Sequence, residues 1–324
     1  MSIEILAPGL LTTVQDGGRL GYAAIGVGAG GAMDGVALRL ANILVGNVDN
    51  AAALEITLRG PRLRFRDDSL IAITGADIDA RSDALQVPTW RPVWMRAGAE
   101  LAVGNIRSGA RCYLAVAGGI DVPMVLGSRS VDVNTRVGGR PLVAGDILPA
   151  TPTAFPVPAS SAFVAAKWSL DPAPWFDHDC AQPLALTPGT HFSDLDDGAH
   201  AALFNTAFRI SADSNRVGYR LEGTPLRLRK PLELVSAGIV PGTIQLPPNG
   251  APIVLMAEAP TTGGYPRIAH VIATDLPRLA QHKPGDSLRF TQVSLGAAQK
   301  RYLEREQALA RIANTVSERL HDPL

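Results

Sequence analysis

Apolar runs in this chain are short. LRFRDDSLIAITGADIDA (63–80), RCYLAVAGG (111–119), PLRLRKPLELVSAG (225–238) and APIVLMAEA (251–259) all meet turn-forming residues within a strand's length. Such runs, closely bounded by Gly, Pro, Asn or Asp, favour sandwiches or barrels over helical bundles. The 32 glycines and 25 prolines therefore read as tight turns rather than disorder, because the apolar runs between them are intact. A mainly β fold is expected, with three helices. The first runs from about Met33 to Val45, with Asp34 able to cap its start and Gly46-Asn47 its end. A second, short one lies near Leu276–Gln281, and a third covers about Ala297–Leu320, with Leu309, Ile312, Ala313, Val316 and Leu320 on one face.

An internal repeat is visible. GPRLRFRDDSLIAITGADI (60–78) parallels GTPLRLRKPLELVSAGIV (223–240) in its order of apolar and polar residues. GRPLVAGDIL (139–148) has a later counterpart in KPGDSLRF (283–290). A duplicated β unit accounts for both. The Pro/Ala-rich stretch PATPTAFPVPASSA (149–162) has linker composition and sets the expected domains at 1–150, 151–295 and a C-terminal helix at 296–324. A length of 324 residues also suggests two domains.

With 30 basic and 30 acidic residues the chain has no bulk charge to attract nucleic acid or an acidic membrane. MSIEILAPGLL lacks the basic-then-apolar pattern of a signal peptide, and no run approaches the ~18 apolar residues of a membrane helix. Cys112 and Cys180 form no metal-type or redox-type spacing, and Cys112 reads as a buried core thiol. A cytoplasmic protein is expected.

Two Gly-rich segments have the composition of a ligand site. TTGGYPRIA (261–269) brings Thr261, Thr262, Gly263, Gly264 and Tyr265; DSNRVGYRLEG (213–223) brings Arg216 and Tyr219. Paired glycines let backbone approach a ligand, and hydroxyls, guanidinium groups and phenols suit a small polar or anionic one. The same residues also suit two ordinary turns. Arg216, Tyr219, Thr262, Gly264 and Tyr265 are expected to line one pocket, with a valine at 264 abolishing activity. VQDGGRLGY (14–22) adds Asp16 and Arg19, and GVGAGGAMD (26–34) leads to Asp34 as helix cap or base. That stretch is neither a Walker A loop nor a dinucleotide fingerprint. Asp77, Arg129 and Gln245 stand at strand ends or within a strand, where site groups and turn residues look alike. DHDC (177–180) with His191 and the acidic run Asp194, Asp196 and Asp197 invites a metal reading, but no recognised zinc spacing is present and an acidic loop between strands is the better explanation. No catalytic residue and no metal ligand is assigned.

In order along the chain, TVQDGGRLGY (13–22), GAMD (31–34), LEITLRGPRLRF (54–65), ITGAD (73–77), YLAVAGGIDVPMVLGSRS (113–130), RVGYRLEG (216–223) and PGTIQLPPNGAPIVLMAEAPTTGGYP (241–266) resemble the biotin-dependent carboxyltransferase domain family, also called allophanate hydrolase subunit 2 or KipA-like. Within it the chain is most similar to free-standing members assigned as the C subunit of prokaryotic 5-oxoprolinase. The resemblance implies two cyclophilin-like β-barrel domains. It implies KipI-like and LamB/YcsF-like partner subunits and a small amide substrate. The implied reaction opens 5-oxo-L-proline to L-glutamate at the expense of ATP, with Mg as counter-ion and the nucleotide shared with the partners. Two alternatives stay open: the carboxyltransferase subunit of a biotin-dependent urea-carboxylase-like system, and a KipA-like regulatory protein that antagonises a kinase inhibitor. No lysine stands in a biotin-carrier context, so no covalent biotin is expected. The chain departs from the family pattern at Pro260 (usually Gln), Asn215 and Val217 (usually Asp and Met), Gly30 (usually Ser) and Thr190 (usually Pro).

Overall fold

The computed structural model describes residues 1–151, 161–176 and 182–320. Most of the Pro/Ala-rich stretch, and the DHDC segment with Cys180, lie outside the described residues. The chain forms two compact units: Met1–Gly18 with Asp34–Asp177 and Gln307–Leu324, and Arg19–Met33 with His178–Glu306. The second unit thus takes a fifteen-residue segment from near the N-terminus. The protein is mainly β, with four α-helices among the described residues: α1 Gly35–Leu44, α2 Asp197–Asn205, α3 Leu276–Ala280 and α4 Leu295–Arg319. The sequence anticipates all but α2. No described helix is long and apolar enough to cross a membrane.

In the first unit two long antiparallel strands, Ser69–Ser82 and Glu100–Val116, form the spine of a ten-stranded sheet. Bulges between Gly75 and Ala80 break their register and bend the pair. The free edge of Glu100–Val116 pairs with Arg62–Phe65 at its start and with Ala53–Thr57 at its end. One face holds the core, including Ile5, Leu54, Leu63, Ile73 and Leu114. Strand residues alternate between faces, so Glu55, Tyr113 and Thr74, which are cross-strand neighbours, fall on the other. There α1 packs, and its Ala37 carbonyl accepts the Thr74 hydroxyl at 2.6 Å.

The second unit is a nearly closed barrel. Its eight-stranded sheet runs from Ser287–Leu288 at one edge to Phe290–Gln292 at the other. These edges are one stretch of chain, split only at Arg289. Leu288 pairs with Phe208, and Phe290 pairs with Leu184. The Arg289 carbonyl itself accepts the Leu184 N–H at 2.8 Å. Closure leaves few unpaired edge groups, which protects a β protein from edge-to-edge association.

The repeat is real, but its register differs from the sequence reading. In the first unit the Ile5 N–H donates to the Asp146 carbonyl (2.8 Å) and Gly145 N–H donates back to Ile5 (2.8 Å). In the second, Ile210 and Asp286 repeat this at 2.9 Å, and Gly285 and Ile210 at 2.8 Å. Both turns need a left-handed glycine: φ is 90° at Gly145 and 94° at Gly285. Leu63 faces Ile5, and Leu221 faces Ile210. GPRLRF (60–65) therefore corresponds to GYRLEG (218–223), not to the segment 223–240. A cross-strand pair even swaps sign, Glu4 with Arg64 in one unit and Arg209 with Glu222 in the other.

Each turn is tied by its aspartate. Asp146 Oδ2 accepts the Val143 N–H and Asp286 Oδ2 accepts the Lys283 N–H, both at 2.9 Å. Asp146 also holds Arg140 through two bonds of 2.8 Å. Replacing Asp286 with Ala is expected to cost about 1 kcal/mol, and Asp146→Ala more, measured by denaturant unfolding. Equal or negligible losses would show that these turns do not depend on their aspartates.

Candidate functional site

The expected site residues fall into separate groups. In the first unit Asp16 ties down a loop. Its carboxylate accepts the Ser128 hydroxyl (2.6 Å), the Ser130 hydroxyl, the Arg129 N–H (2.6 Å) and the Gly18 N–H (2.8 Å). Burial alone raises the carboxyl's pKa, but these donors outweigh it and hold it below the ordinary 3.8. The Arg129 guanidinium is committed nearby, to the Val122 carbonyl (2.9 Å) and Asp121 (2.6 Å). Asp77 forms an exposed pair with Arg107 at 2.8 Å. Asp34 caps α1, accepting the Ala37 N–H at 2.9 Å. That carboxylate occupies the helix N-terminus at which GVGAGGAMD could have held an anion.

In the second unit Arg216 pairs with Glu258, and both side chains are buried, at 5% and 0% exposure. Arg216 Nη2 also donates to the Gly31 carbonyl at 2.6 Å. The ion pair thereby anchors the Arg19–Met33 segment. Within that segment Arg19 is buried, and its backbone N–H donates to Ala29 at 2.7 Å. Gly30, at φ 61°, passes close to the Arg19 guanidinium. Tyr219 does not line a surface pocket. It is 3% exposed in the barrel core, and its hydroxyl reaches the His282 carbonyl at 3.2 Å. The strand alternation of Gly218–Glu222 turns it inward with Leu221.

The TTGG segment forms a flap. Thr262–Gly263 pairs with Ala237–Gly238 in a two-stranded sheet apart from the barrel sheet. The Ile239 N–H donates to the Thr261 carbonyl at 3.2 Å, and Arg267 Nη1 to the Gly238 carbonyl at 3.3 Å. Thr262, Gly264 and Tyr265 are exposed, Thr261 half-buried. Beneath the flap lies Gln245, on the barrel strand Thr243–Gln245 and 5% exposed. Its Nε2 is buried and has no hydrogen-bond partner among the described residues. A Cβ at Gly263 would stand 2.3 Å from that nitrogen and 3.0 Å from Ile239 Cδ1. At Gly264 a Cβ meets nothing closer than 3.5 Å. A side chain at Gly263, unlike one at Gly264, would therefore have to displace the Gln245 amide.

Three important residues were not singled out from the sequence. Glu258 shows only as an acid in an apolar run. Glu55 and Tyr113 read as ordinary strand residues, yet the Tyr113 hydroxyl donates to Glu55 at 2.6 Å and accepts the Asp34 N–H at 2.8 Å. Burial first, then Glu55, pushes the Tyr113 phenol well up. Cross-strand register, set by the fold, was the missing signal. Cys112 is buried, as expected, and burial pushes its thiol up. No group of His, Cys, Asp and Glu among the described residues is placed to hold a metal.

Two stability measurements check these roles. Asp16→Ala strands several donors and should cost about 3 kcal/mol at pH 7. Because the folded carboxyl titrates below 3.8, its contribution is complete above that value and lost as pH falls through the folded pKa. The gap from wild type should narrow in acid; a gap that widens there contradicts the assignment. Glu258→Gln removes the charge of the carboxylate that pairs with the buried Arg216 and should cost about 3–5 kcal/mol.

Comparison with known proteins matches this geometry to a family. The family model described as "Carboxyltransferase domain, subdomain A and B" matches residues 25–292. The chain is 41% identical to the 5-oxoprolinase C subunit of Escherichia coli strain K12 over 311 residues, covering 93% of this chain and 96% of that one. It is 36% identical to the 5-oxoprolinase C subunit of Haemophilus influenzae, covering 98% and 99%. The solved Kluyveromyces lactis urea carboxylase superposes with a TM-score of 0.87 at 31% identity, over 96% of this chain but 29% of that larger one. The chain belongs to the carboxyltransferase-domain family and is homologous to the C subunit of 5-oxoprolinase.

Proposed function

We propose that this chain is one subunit of a cytoplasmic, ATP-dependent 5-oxoprolinase, which converts 5-oxo-L-proline, ATP and water to L-glutamate, ADP and phosphate. The end-to-end match to relatives named as the 5-oxoprolinase C subunit carries the reading, since each is covered almost completely. The partners are KipI-like and LamB/YcsF-like subunits. A lactam resists water because its amide is resonance-stabilised, and ATP supplies a phosphoryl group that can activate its oxygen. The Gly-rich approach to α1 does not fit a triphosphate, because it ends on the Asp34 carboxylate, which caps the helix. Nucleotide chemistry is therefore assigned to the partners, and this chain contributes one wall of a shared site. The K. lactis urea carboxylase match favours one second reading, a carboxyltransferase role with a separate biotin carrier.

Reconstitution separates the two. The purified chain alone should neither hydrolyse ATP in response to 5-oxoproline nor release glutamate, and with both partners it should do both in step. Turnover by the isolated chain would refute the shared site. Carboxylation of urea by the chain with a biotin carrier, with no action on 5-oxoproline by the full mixture, would install the second reading.

A further inference from the structure

Buried polar atoms without partners are not all alike. Gln15 Oε1 lacks one, but the same amide's nitrogen donates to Thr13 (3.0 Å) and Val131 (2.8 Å). Asp79 Oδ1 lacks one, but Oδ2 holds Arg81 at 2.9 Å. Ser82 Oγ also lacks a partner but is a single hydroxyl on a short side chain; Gln245 Nε2 bears both donors of its amide and neither is used. Two wasted donors are costly in a buried place, where such groups are nearly always paired. The side chain also projects toward Gly263, the one flap position where a Cβ would strike it. The flap itself is small, two residues per strand, and separate from the barrel ladder.

We infer that Gln245 is a ligand-binding residue and that the flap 236–240/261–265 is its gate. When the flap shifts, Nε2 is uncovered and donates to the carbonyl oxygen of a small amide or lactam. An acceptor-only oxygen is what an amide nitrogen can bind. Gly263 is bare so that the amide can rest against the flap backbone when no ligand is bound. Thr262 and Tyr265, exposed on the flap, close over the ligand's far side. The inference rests on the proposed function for the identity of the ligand, but not for the existence of the site.

Two single variants and their combination test it in the reconstituted assembly. Gln245→Leu keeps the bulk and removes the unpaired donors. It should raise the KM for 5-oxoproline about five- to tenfold, while the Tm of the chain stays level or rises. Gly263→Ala should displace the Gln245 amide and raise KM similarly, and the two effects should not add in the double variant. An unchanged KM in Gln245→Leu overturns the inference. So does a raised KM accompanied by a Tm several degrees lower, which marks a packing role, and so do additive losses. If the wild-type assembly ignores 5-oxoproline, the proposed function fails and the site is judged by amide hydrogen exchange instead. Slowed exchange at 236–240 and 261–265 with 5-oxoproline or urea in the wild type, lost in Gln245→Leu, sustains it. No slowing with either ligand overturns it.

Discussion

The Arg216–Glu258 pair has almost no water to share, so each member depends on the other. Desolvating two charges is expensive and is recovered only when geometry is good and the remaining donors are used. Here a remaining donor is used on the Gly31 carbonyl. That bond is one tie on a Gly-rich segment whose Met33 also packs in the barrel core. The pair thus holds the Gly31 end of the Arg19–Met33 segment.

The first unit applies the same rule with different groups. Asp16 fastens the 128–130 loop, and the Glu55–Tyr113 pair fastens the start of α1 through the Asp34 N–H. In each case a buried acid organises donors from residues far away in sequence. Residues rich in hydrogen-bonding capacity thus need not bind ligands. Gln245 stands apart because its donors organise nothing. A group with unspent capacity under a small flap is a stronger pointer to binding than a group already saturated by the fold.

The β character was legible because short apolar runs between turn residues admit little else. Helices α1, α3 and α4 followed from caps and periodicity; α2, soon after His191 and rich in Ala, has a weak apolar face and gave no such signal. The repeat was legible, but its register was not, because GPRLRF resembles two later segments and only pairing to Ile5 and Ile210 selects between them. Of the candidate residues, the TTGG turn and Gln245 meet in space. Asp16, Asp34, Arg129 and Arg216 serve the framework, and Tyr219 serves the core. Sequence composition cannot separate these roles, since a saturated carboxylate and a waiting one are spelled alike.

The account turns on where the ligand's oxygen goes. The most direct measurement is an experimental structure of the assembled enzyme with 5-oxoproline bound. The account predicts its lactam oxygen about 3 Å from Gln245 Nε2, with Gly263 moved away from that nitrogen and Thr262 and Tyr265 over the ligand. A ligand bound elsewhere, with Gly263 still seated on the Gln245 amide, would contradict it.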